Sequence, residues 1–156
     1  ITVRSFSKHY NMTGFRLGYV AAEKPVIQAL ARLQSHTTGN VCTFAQHGAL
    51  AALDMDQAVV GQRCAVLQLR RDQALALTRT LFDCSTGQGA FYLFPDVRAR
   101  LRKKETSADL AARLLSKAGV AVVPGEAFHG PGHIRISFGT GPEMLQRAFD
   151  KIREVL

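Results

Sequence analysis

The order of apolar and polar positions in the second half of the chain predicts helices that alternate with short strands. A long helix is predicted at about residues 56–82, although Arg71 and Thr78 interrupt its apolar stripe. The pattern then predicts, in order, a strand at 90–94, a helix from Thr106 to Gly119, strands at 120–123 and 134–138, and a helix from Pro142 to Leu156. This order indicates an α/β layer that can bury a core of its own.

Local signals refine two of these helices and one connection. Thr106 and Asp109 predict a helix cap, and the helix that follows is expected to bury its leucines, Leu110, Leu114 and Leu115. Pro124 and Gly125 predict a turn. The last helix is expected to bury one apolar face, formed by Leu145, Phe149, Ile152 and Leu156.

The first half of the chain reads differently. Strands are predicted at residues 1–3 and 17–20, a helix begins at Pro25, and Thr43 with Gln46 predicts a capping box for a second helix. Two strands and two helices without partner strands can bury little apolar surface by themselves. We therefore expect residues 1–57 to be the tail of a larger domain and residues 58–156 to form a small domain entered through the long helix. Because the sequence opens on Ile1, we expect the C-terminal part of a longer protein.

Composition narrows the class of protein. Hydrophobic residues make up 47% of the chain and charged residues 21%, which favours a packed globular protein. No apolar run reaches the roughly 18 residues that a membrane span needs, so no membrane partner is expected. Three isolated cysteines without a C-x-x-C pair predict neither disulfides nor a zinc site, and they favour a reducing compartment, the cytoplasm.

The net charge of +8 raises the question of a nucleic-acid partner. Basic residues are spread along the chain, and they cluster only at Arg98, Arg100, Arg102, Lys103 and Lys104. No aromatic residues interleave with this cluster to stack on bases. We interpret it as a solvated loop and predict no nucleic-acid binding.

The candidate chemistry lies in the opening segment, residues 5–18, which reads SFSKHYNMTGFRLG. Lys8 is a primary amine, Arg16 offers a planar fork of donors for an anion, and Ser5 and Ser7 add hydroxyl groups. Gly14 and Gly18 would allow close approach of the backbone. An amine beside an anion pocket suits a cofactor with an aldehyde and a phosphate group. A nucleotide phosphate site is the alternative, but the sequence has no G-x-x-x-x-G-K-S/T loop.

This segment resembles the pyridoxal-phosphate attachment segment of class I and II aminotransferases, the fold type I family, in which S-x-S-K precedes M-T-G-x-R-x-G-Y. The resemblance implies that Lys8 is the catalytic lysine and forms a Schiff base with pyridoxal 5'-phosphate. It also implies that Ser5 and Arg16 hold the cofactor phosphate, with Ser7 as a further cofactor contact. The implied fold is α/β: the tail of the large cofactor domain followed by the small C-terminal domain.

Two later segments resemble the same family. GAFYLFPDV, residues 89–97, is similar to the small-domain strand that follows the long helix. GVAVVPGEAFHGPGHIRISFGT, residues 119–140, is similar to the segment with the substrate-binding arginine, which by position is Arg135. From the residues alone, Arg135 and Ser137 form the polar face of a strand and could simply face solvent. The resemblance favours a bidentate grip of Arg135 on the substrate carboxylate.

The resemblance implies an aspartate-aminotransferase-like enzyme that exchanges an amino group between an L-amino acid and a 2-oxo acid. It also implies a homodimer. From the residues alone, His129 and His133 lie four apart, but glycines and a proline separate them, so no metal site is predicted. Because the family's ring-nitrogen aspartate and stacking aromatic residue would lie upstream of Lys8, we expect the 156-residue chain alone to be inactive. Two alternatives remain at this point: a cofactor-sensing domain of a transcription regulator, and another fold type I enzyme such as an amino-acid lyase.

Overall fold

The computed structural model describes all 156 residues, which form two compact units, Ile1–Gln62 and Arg63–Leu156. The first unit contains a two-stranded antiparallel hairpin and three helices, followed by the start of a fourth. Its elements are β1 (Thr2–Ser5), α1 (Phe6–His9), β2 (Gly18–Ala21), α2 (Lys24–Thr37) and α3 (Thr43–Asp54), and α4 (Ala58–Arg79) begins in this unit. The predicted strands and helices of this half are therefore confirmed.

The hairpin of β1 and β2 is held in one register. Thr2 pairs with Ala21, and Ser5 pairs with Gly18. A Cβ atom at Gly18 would lie 2.4 Å from the carbonyl oxygen of Arg4, so only glycine fits at this position. The close approach of the two strands therefore depends on Gly18.

Buried apolar side chains from the hairpin segment and from α3 form the core of the first unit. Its members are Phe6, Met12, Leu17, Ala45 and Ala49. By contrast, no residue of α2 is buried within the chain.

The predicted capping box at α3 is wrong. Thr43 is already the first helical residue, and Cys42 occupies the N-cap position without a side-chain hydrogen bond. Gln46 instead donates from Nε2 to the carbonyl oxygen of Val41, at 2.8 Å. Gln46 therefore satisfies an acceptor ahead of the helix, and Thr43 lies one residue too late to cap it.

The second unit has the predicted order of helix, strand, helix, strand, strand and helix. After α4 come β3 (Tyr92–Leu93), α5 (Ser107–Arg113), β4 (Val123–Pro124), β5 (Ile134–Ser137) and α6 (Pro142–Val155). The three strands form an antiparallel sheet in the order β3–β5–β4. None of the helices combines the length and the apolar character needed to span a bilayer.

The core of this unit lies between the sheet and its helices. Side chains of β5 alternate, with Ile134 and Ile136 buried. From α6, Leu145, Phe149 and Ile152 are at most 2% exposed, and Leu156, which follows the helix, is partly buried against the core, so the predicted apolar face is confirmed. These residues join two clusters of buried side chains, which include Leu110, Leu114, Val97, Leu93 and Phe138.

Thr78 differs from its expected role as a polar interruption of α4. Its side chain is fully buried, and its Oγ1 donates to the carbonyl oxygen of Ala74 at 2.7 Å. This hydrogen bond within the helix satisfies the hydroxyl group, so Thr78 packs in the core beside its apolar neighbours.

Two further predictions in this unit need correction. Leu115 is 59% exposed, because the chain turns from α5 into a π-helical segment, Leu114–Ala118, in which Leu114 takes the buried position. The strand predicted at 120–123 is observed at Val123–Pro124, so Pro124 belongs to a strand and not to a turn. Its lack of an N–H group is tolerated because β4 is an edge strand.

The start of α5 is capped as predicted, and a second interaction ties this helix to α6. Thr106 Oγ1 accepts a hydrogen bond from the Asp109 backbone N–H, and the Asp109 carboxylate accepts one from the Thr106 backbone N–H. The Glu105 carboxylate binds Arg113 through two hydrogen bonds of 2.8 and 2.9 Å, and Arg113 also donates to the carbonyl oxygen of Val155. The two hydrogen bonds from Arg113 to the Glu105 carboxylate lower the pKa of Glu105 below its ordinary value of 4.5.

We expect Glu105→Gln to destabilise the protein in a pH-dependent way. A lowered carboxyl pKa in the folded state means that the contribution of the ionised Glu105 is complete above pH 4.5 and is lost as the pH falls through the folded-state pKa. Near neutral pH, the substitution should lower the free energy of unfolding by about 1–3 kcal/mol, and the difference should shrink towards pH 3. Urea unfolding at a series of pH values measures it. Glu154→Gln, at an exposed position of α6, is the control, and an equal effect of both substitutions at all pH values would contradict the account.

Candidate functional site

The opening segment separates apolar from polar side chains over a few residues. Phe6, Met12 and Leu17 point into the core of the first unit. Between them, Lys8 and Arg16 are exposed. The apolar residues therefore anchor the segment, and the polar residues of the motif are left at its surface.

The two serines of the motif are placed by the start of α1. Ser5 is the N-cap of this helix, and its Oγ accepts a hydrogen bond from the Ser7 backbone N–H at 3.1 Å. Since a hydroxyl group has one proton to donate as well as lone pairs to accept, Ser5 can still donate to an anion. The side chain of Ser7 is half-buried.

Lys8 is in the single turn of α1, which aromatic contacts hold in place. The rings of Phe6 and Tyr10 have centroids 5.3 Å apart, and the Tyr10 hydroxyl donates to Oε1 of Gln57 at 3.4 Å. His9 places its ring edge-on against Tyr10. The backbone that carries Lys8 is therefore fixed on both sides.

Arg16 has an unusual backbone conformation. Its φ of 52° and ψ of 50° are in the left-handed region, which non-glycine residues rarely adopt. One nitrogen of its guanidinium group, Nη1, donates to the carbonyl oxygen of Thr13 at 3.1 Å. The remaining N–H groups of the guanidinium are available to an anion.

The hairpin brings the two ends of the motif together. Ser5 pairs with Gly18, and the Phe6 backbone N–H donates to the carbonyl oxygen of Leu17 at 3.3 Å. Ser5 and Arg16 are therefore at the same end of the hairpin. Of the two glycines, Gly18 is required by close backbone contact, whereas a Cβ at Gly14 would meet no atom of the chain within 4 Å.

Arg135 belongs to the second unit and has aromatic neighbours. Its guanidinium carbon is 4.3 Å from the ring centroid of Tyr92 and 4.6 Å from that of Phe128. Tyr92 pairs with Ser137 across β3 and β5, so its side chain is on the same face of the sheet as Arg135 and diagonal to it. Arg135 is half-buried between aromatic rings and is not a freely solvated arginine.

A tight loop places Phe128 near Arg135. Phe128 ends a short 3₁₀ helix, Gly125–Phe128. The Gly125 backbone N–H donates to the carbonyl oxygen of His133 at 2.7 Å, and a Cβ on Gly125 would lie 2.0 Å from the carbonyl oxygen of Gly130. The Ser107 hydroxyl, which is fully buried, accepts from the Gly132 N–H at 2.7 Å. This loop is therefore packed backbone against backbone and tied to α5.

The two histidines of this loop, His129 and His133, are not arranged as a metal-binding pair. The His133 ring stacks on the ring of Phe94 with centroids 5.0 Å apart, and His129 has a left-handed backbone conformation at the end of the 3₁₀ helix. No group of three or more histidine, cysteine, aspartate or glutamate residues is arranged to hold a metal ion.

Part of the basic cluster is engaged within the chain. The Arg98 guanidinium donates to the carboxylate of Asp96 and lowers its pKa to about 2. Arg100 Nε donates to the carbonyl oxygen of Leu81 at 2.9 Å. Hydrogen bonds within the chain thus orient these two arginines.

Sequence reasoning missed Tyr92 and Phe128 as neighbours of Arg135. Strand alternation could have placed Tyr92 on the polar face of the sheet, but the register that brings it to Arg135 is not visible in the sequence. Phe128 carries no such signal, because the conformation of its loop depends on the hydrogen bond of Gly132 to Ser107 in α5 and on that of Gly125 to His133, just before β5.

Comparison with known proteins gives a consistent result. The family model described as aminotransferase class I and II matches residues 1–152. A probable aspartate/prephenate aminotransferase of Aquifex aeolicus is 40% identical over 99% of the chain, and an aspartate aminotransferase of Streptomyces avermitilis is 39% identical over the whole chain. The chain spans 40% of the length of each of these relatives.

Solved structures are similar as well. The crystal structure of an aromatic aminotransferase from Pyrococcus horikoshii superposes with a TM-score of 0.92 at 35% identity, over all of this chain and 42% of the other. The α/β elements described above therefore have the arrangement found in solved aminotransferases. With a family match over nearly all of its residues, the chain belongs to the class I and II aminotransferases.

Proposed function

We propose that the protein containing this chain is a pyridoxal-phosphate-dependent aminotransferase that exchanges an amino group between an L-amino acid and a 2-oxo acid. The observation that carries this proposal is the segment of residues 5–18, which presents the amine of Lys8 and the guanidinium of Arg16 from one anchored hairpin. Because the relatives compared above are named aminotransferases, the transferase is favoured over the regulator and the lyase.

The donor set of this segment fits the proposed cofactor. A phosphate dianion needs several N–H or O–H donors, and Arg16 with the Ser5 hydroxyl supplies them at one end of the hairpin. Ser7 is a further contact, proposed from its place in the motif. When bound, pyridoxal phosphate supplies an aldehyde that bonds to amines and a ring that accepts the electron pair left by a departing proton.

Lys8 has two proposed roles in this chemistry. Its Nζ is the primary amine that would condense with the cofactor aldehyde in the resting enzyme, with release of water. Once an incoming amino acid has displaced it, Nζ would be free to accept the proton from the substrate Cα and then to deliver it to the carbon that carried the aldehyde. Both roles need an exposed lysine on a fixed backbone, and Lys8 in α1 meets this requirement.

Arg135 is the proposed binding group for the substrate carboxylate. No carboxylate of the chain forms an ion pair with Arg135. The aromatic rings beside its guanidinium also shield part of the charge from water. A guanidinium in this setting binds an anionic oxygen pair well. By holding the carboxylate, Arg135 would fix the orientation of the amino acid, including the direction of its Cα–H bond.

We also propose a homodimer located in the cytoplasm. Large apolar residues of the first unit are exposed within the chain, among them Leu33, Phe44 and Leu50, at 62, 76 and 58%. Exposure of this extent supports the proposal that further protein covers these residues in the assembled enzyme. The three cysteines are all unpaired, which supports a reducing compartment.

We expect sodium borohydride reduction of the cofactor-loaded, full-length protein to attach the cofactor irreversibly to Lys8. Peptide mapping by mass spectrometry should find the added mass on the peptide that contains Lys8. Lys8→Ala should abolish the label, whereas Lys117→Arg, at an exposed position of the second unit, should retain it. A label on a different lysine would refute the assignment.

We expect Arg135→Gln to raise KM for every amino donor about tenfold or more, because one charge-assisted pair contributes about 1.5–3 kcal/mol. Arg135→Lys keeps the charge but loses the planar fork, so its KM should be intermediate. Steady-state kinetics of the full-length enzyme measure both. Arg147→Gln, an exposed arginine of α6, is the matched control. An unchanged KM in Arg135→Gln would exclude Arg135 from substrate binding.

A further inference from the structure

The two aromatic rings beside Arg135 limit what its guanidinium can bind. The guanidinium carbon lies over the rings of Tyr92 and Phe128, 4.3 and 4.6 Å from their centroids, within the range of cation–π attraction. Arg135 makes no hydrogen bond or ion pair with another residue of the chain. The N–H groups, which point outward in the guanidinium plane, are therefore the part of Arg135 left for a ligand.

Both rings have fixed positions. The pairing of β3 with β5 sets Tyr92 diagonal to Arg135. Phe128 meets the ring of Phe94 edge-on, with centroids 6.2 Å apart, and Phe94 in turn stacks on His133. Phe94 also packs against Gly130, where a Cβ would lie 2.8 Å from its ring. The ring of Phe128 is thus supported by its own loop and by Phe94, which directly follows β3.

We propose that Tyr92 and Phe128 form an aromatic clamp that fixes the guanidinium plane of Arg135 and makes the site selective for planar carboxylates over tetrahedral anions. This inference rests on the proposed function, in which Arg135 binds the substrate carboxylate. Tyr92 and Phe128 are positioning residues, since they act on the ligand through Arg135.

The selectivity follows from geometry. A carboxylate has two oxygens in one plane and can pair with the N–H edge of the guanidinium without leaving that plane. A sulfonate or phosphonate has a third oxygen out of the plane, which would approach the face of an aromatic ring. Because ring faces carry partial negative charge, they disfavour an anionic oxygen at that position. An unclamped arginine could tilt to accommodate the third oxygen.

The test uses the full-length protein and two small probes of similar size, propionate and ethanesulfonate. Ligand-observed NMR titration gives a dissociation constant for each probe and needs no turnover. The unsubstituted protein should bind propionate more tightly than ethanesulfonate, and Arg135→Gln should abolish the difference. Phe128→Leu or Tyr92→Leu should weaken propionate binding about threefold to tenfold and reduce the preference over ethanesulfonate.

Conservative variants separate the clamp from general damage to the fold. Phe128→Tyr and Tyr92→Phe keep a ring in place, so both should retain the affinity and the preference of the unsubstituted protein. Leu115→Ala, at an exposed position of the same unit, is the control for substitution as such. Circular dichroism checks that each variant is folded, and Phe128→Met or Tyr92→Met, which also removes the ring but fills the space with a flexible side chain, replaces any leucine variant that is not.

The outcomes also separate the clamp from the proposed function. If borohydride labels Lys8 but the leucine variants bind both probes as the unsubstituted protein does, the clamp is overturned and the proposed function stands. If Lys8 is not labelled but propionate binding depends on both rings, the clamp stands and the proposed function fails. Equal affinity of the unsubstituted protein for the two probes overturns the clamp.

Discussion

The pairing of Ser5 with Gly18 closes the segment that presents Lys8 and Arg16. This pairing is possible because Gly18 has no side chain, since any Cβ would collide with the carbonyl oxygen of Arg4. Once the hairpin is closed, the apolar residues of the segment pack on α3, and the amine, guanidinium and hydroxyl groups remain at the surface. The closed segment also holds Arg16 in its left-handed backbone conformation. The same conformation would be unfavourable in an isolated peptide.

In the second unit, the sheet has the same organising effect. Alternation along β5 buries Ile134 and Ile136 and leaves Arg135 on the opposite face, where Tyr92 and Phe128 cover its guanidinium. The core therefore decides the direction of Arg135, and the aromatic rings lie within cation–π range of its guanidinium. The proposed clamp would favour a planar anion at this position.

Features that depend on residues close together in the sequence could be predicted, and contacts between residues far apart in the sequence could not. The order of helices and strands, the cap formed by Thr106 and Asp109, and the motif around Lys8 are all local features. Strand register, which brings Tyr92 to Arg135, depends on partners distant in sequence. The burial of Thr78 was missed for a related reason: a hydroxyl bonded to its own helix behaves as an apolar group only where the core surrounds it.

The central claim is that one anchored hairpin segment holds the cofactor through Lys8, Ser5 and Arg16. A crystal structure of the full-length protein grown with pyridoxal phosphate tests it most directly. The account predicts electron density continuous from Nζ of Lys8 to the cofactor, with the phosphate hydrogen-bonded to the Ser5 hydroxyl and the Arg16 guanidinium. Cofactor density attached to another lysine, or a phosphate bound away from both residues, would contradict it.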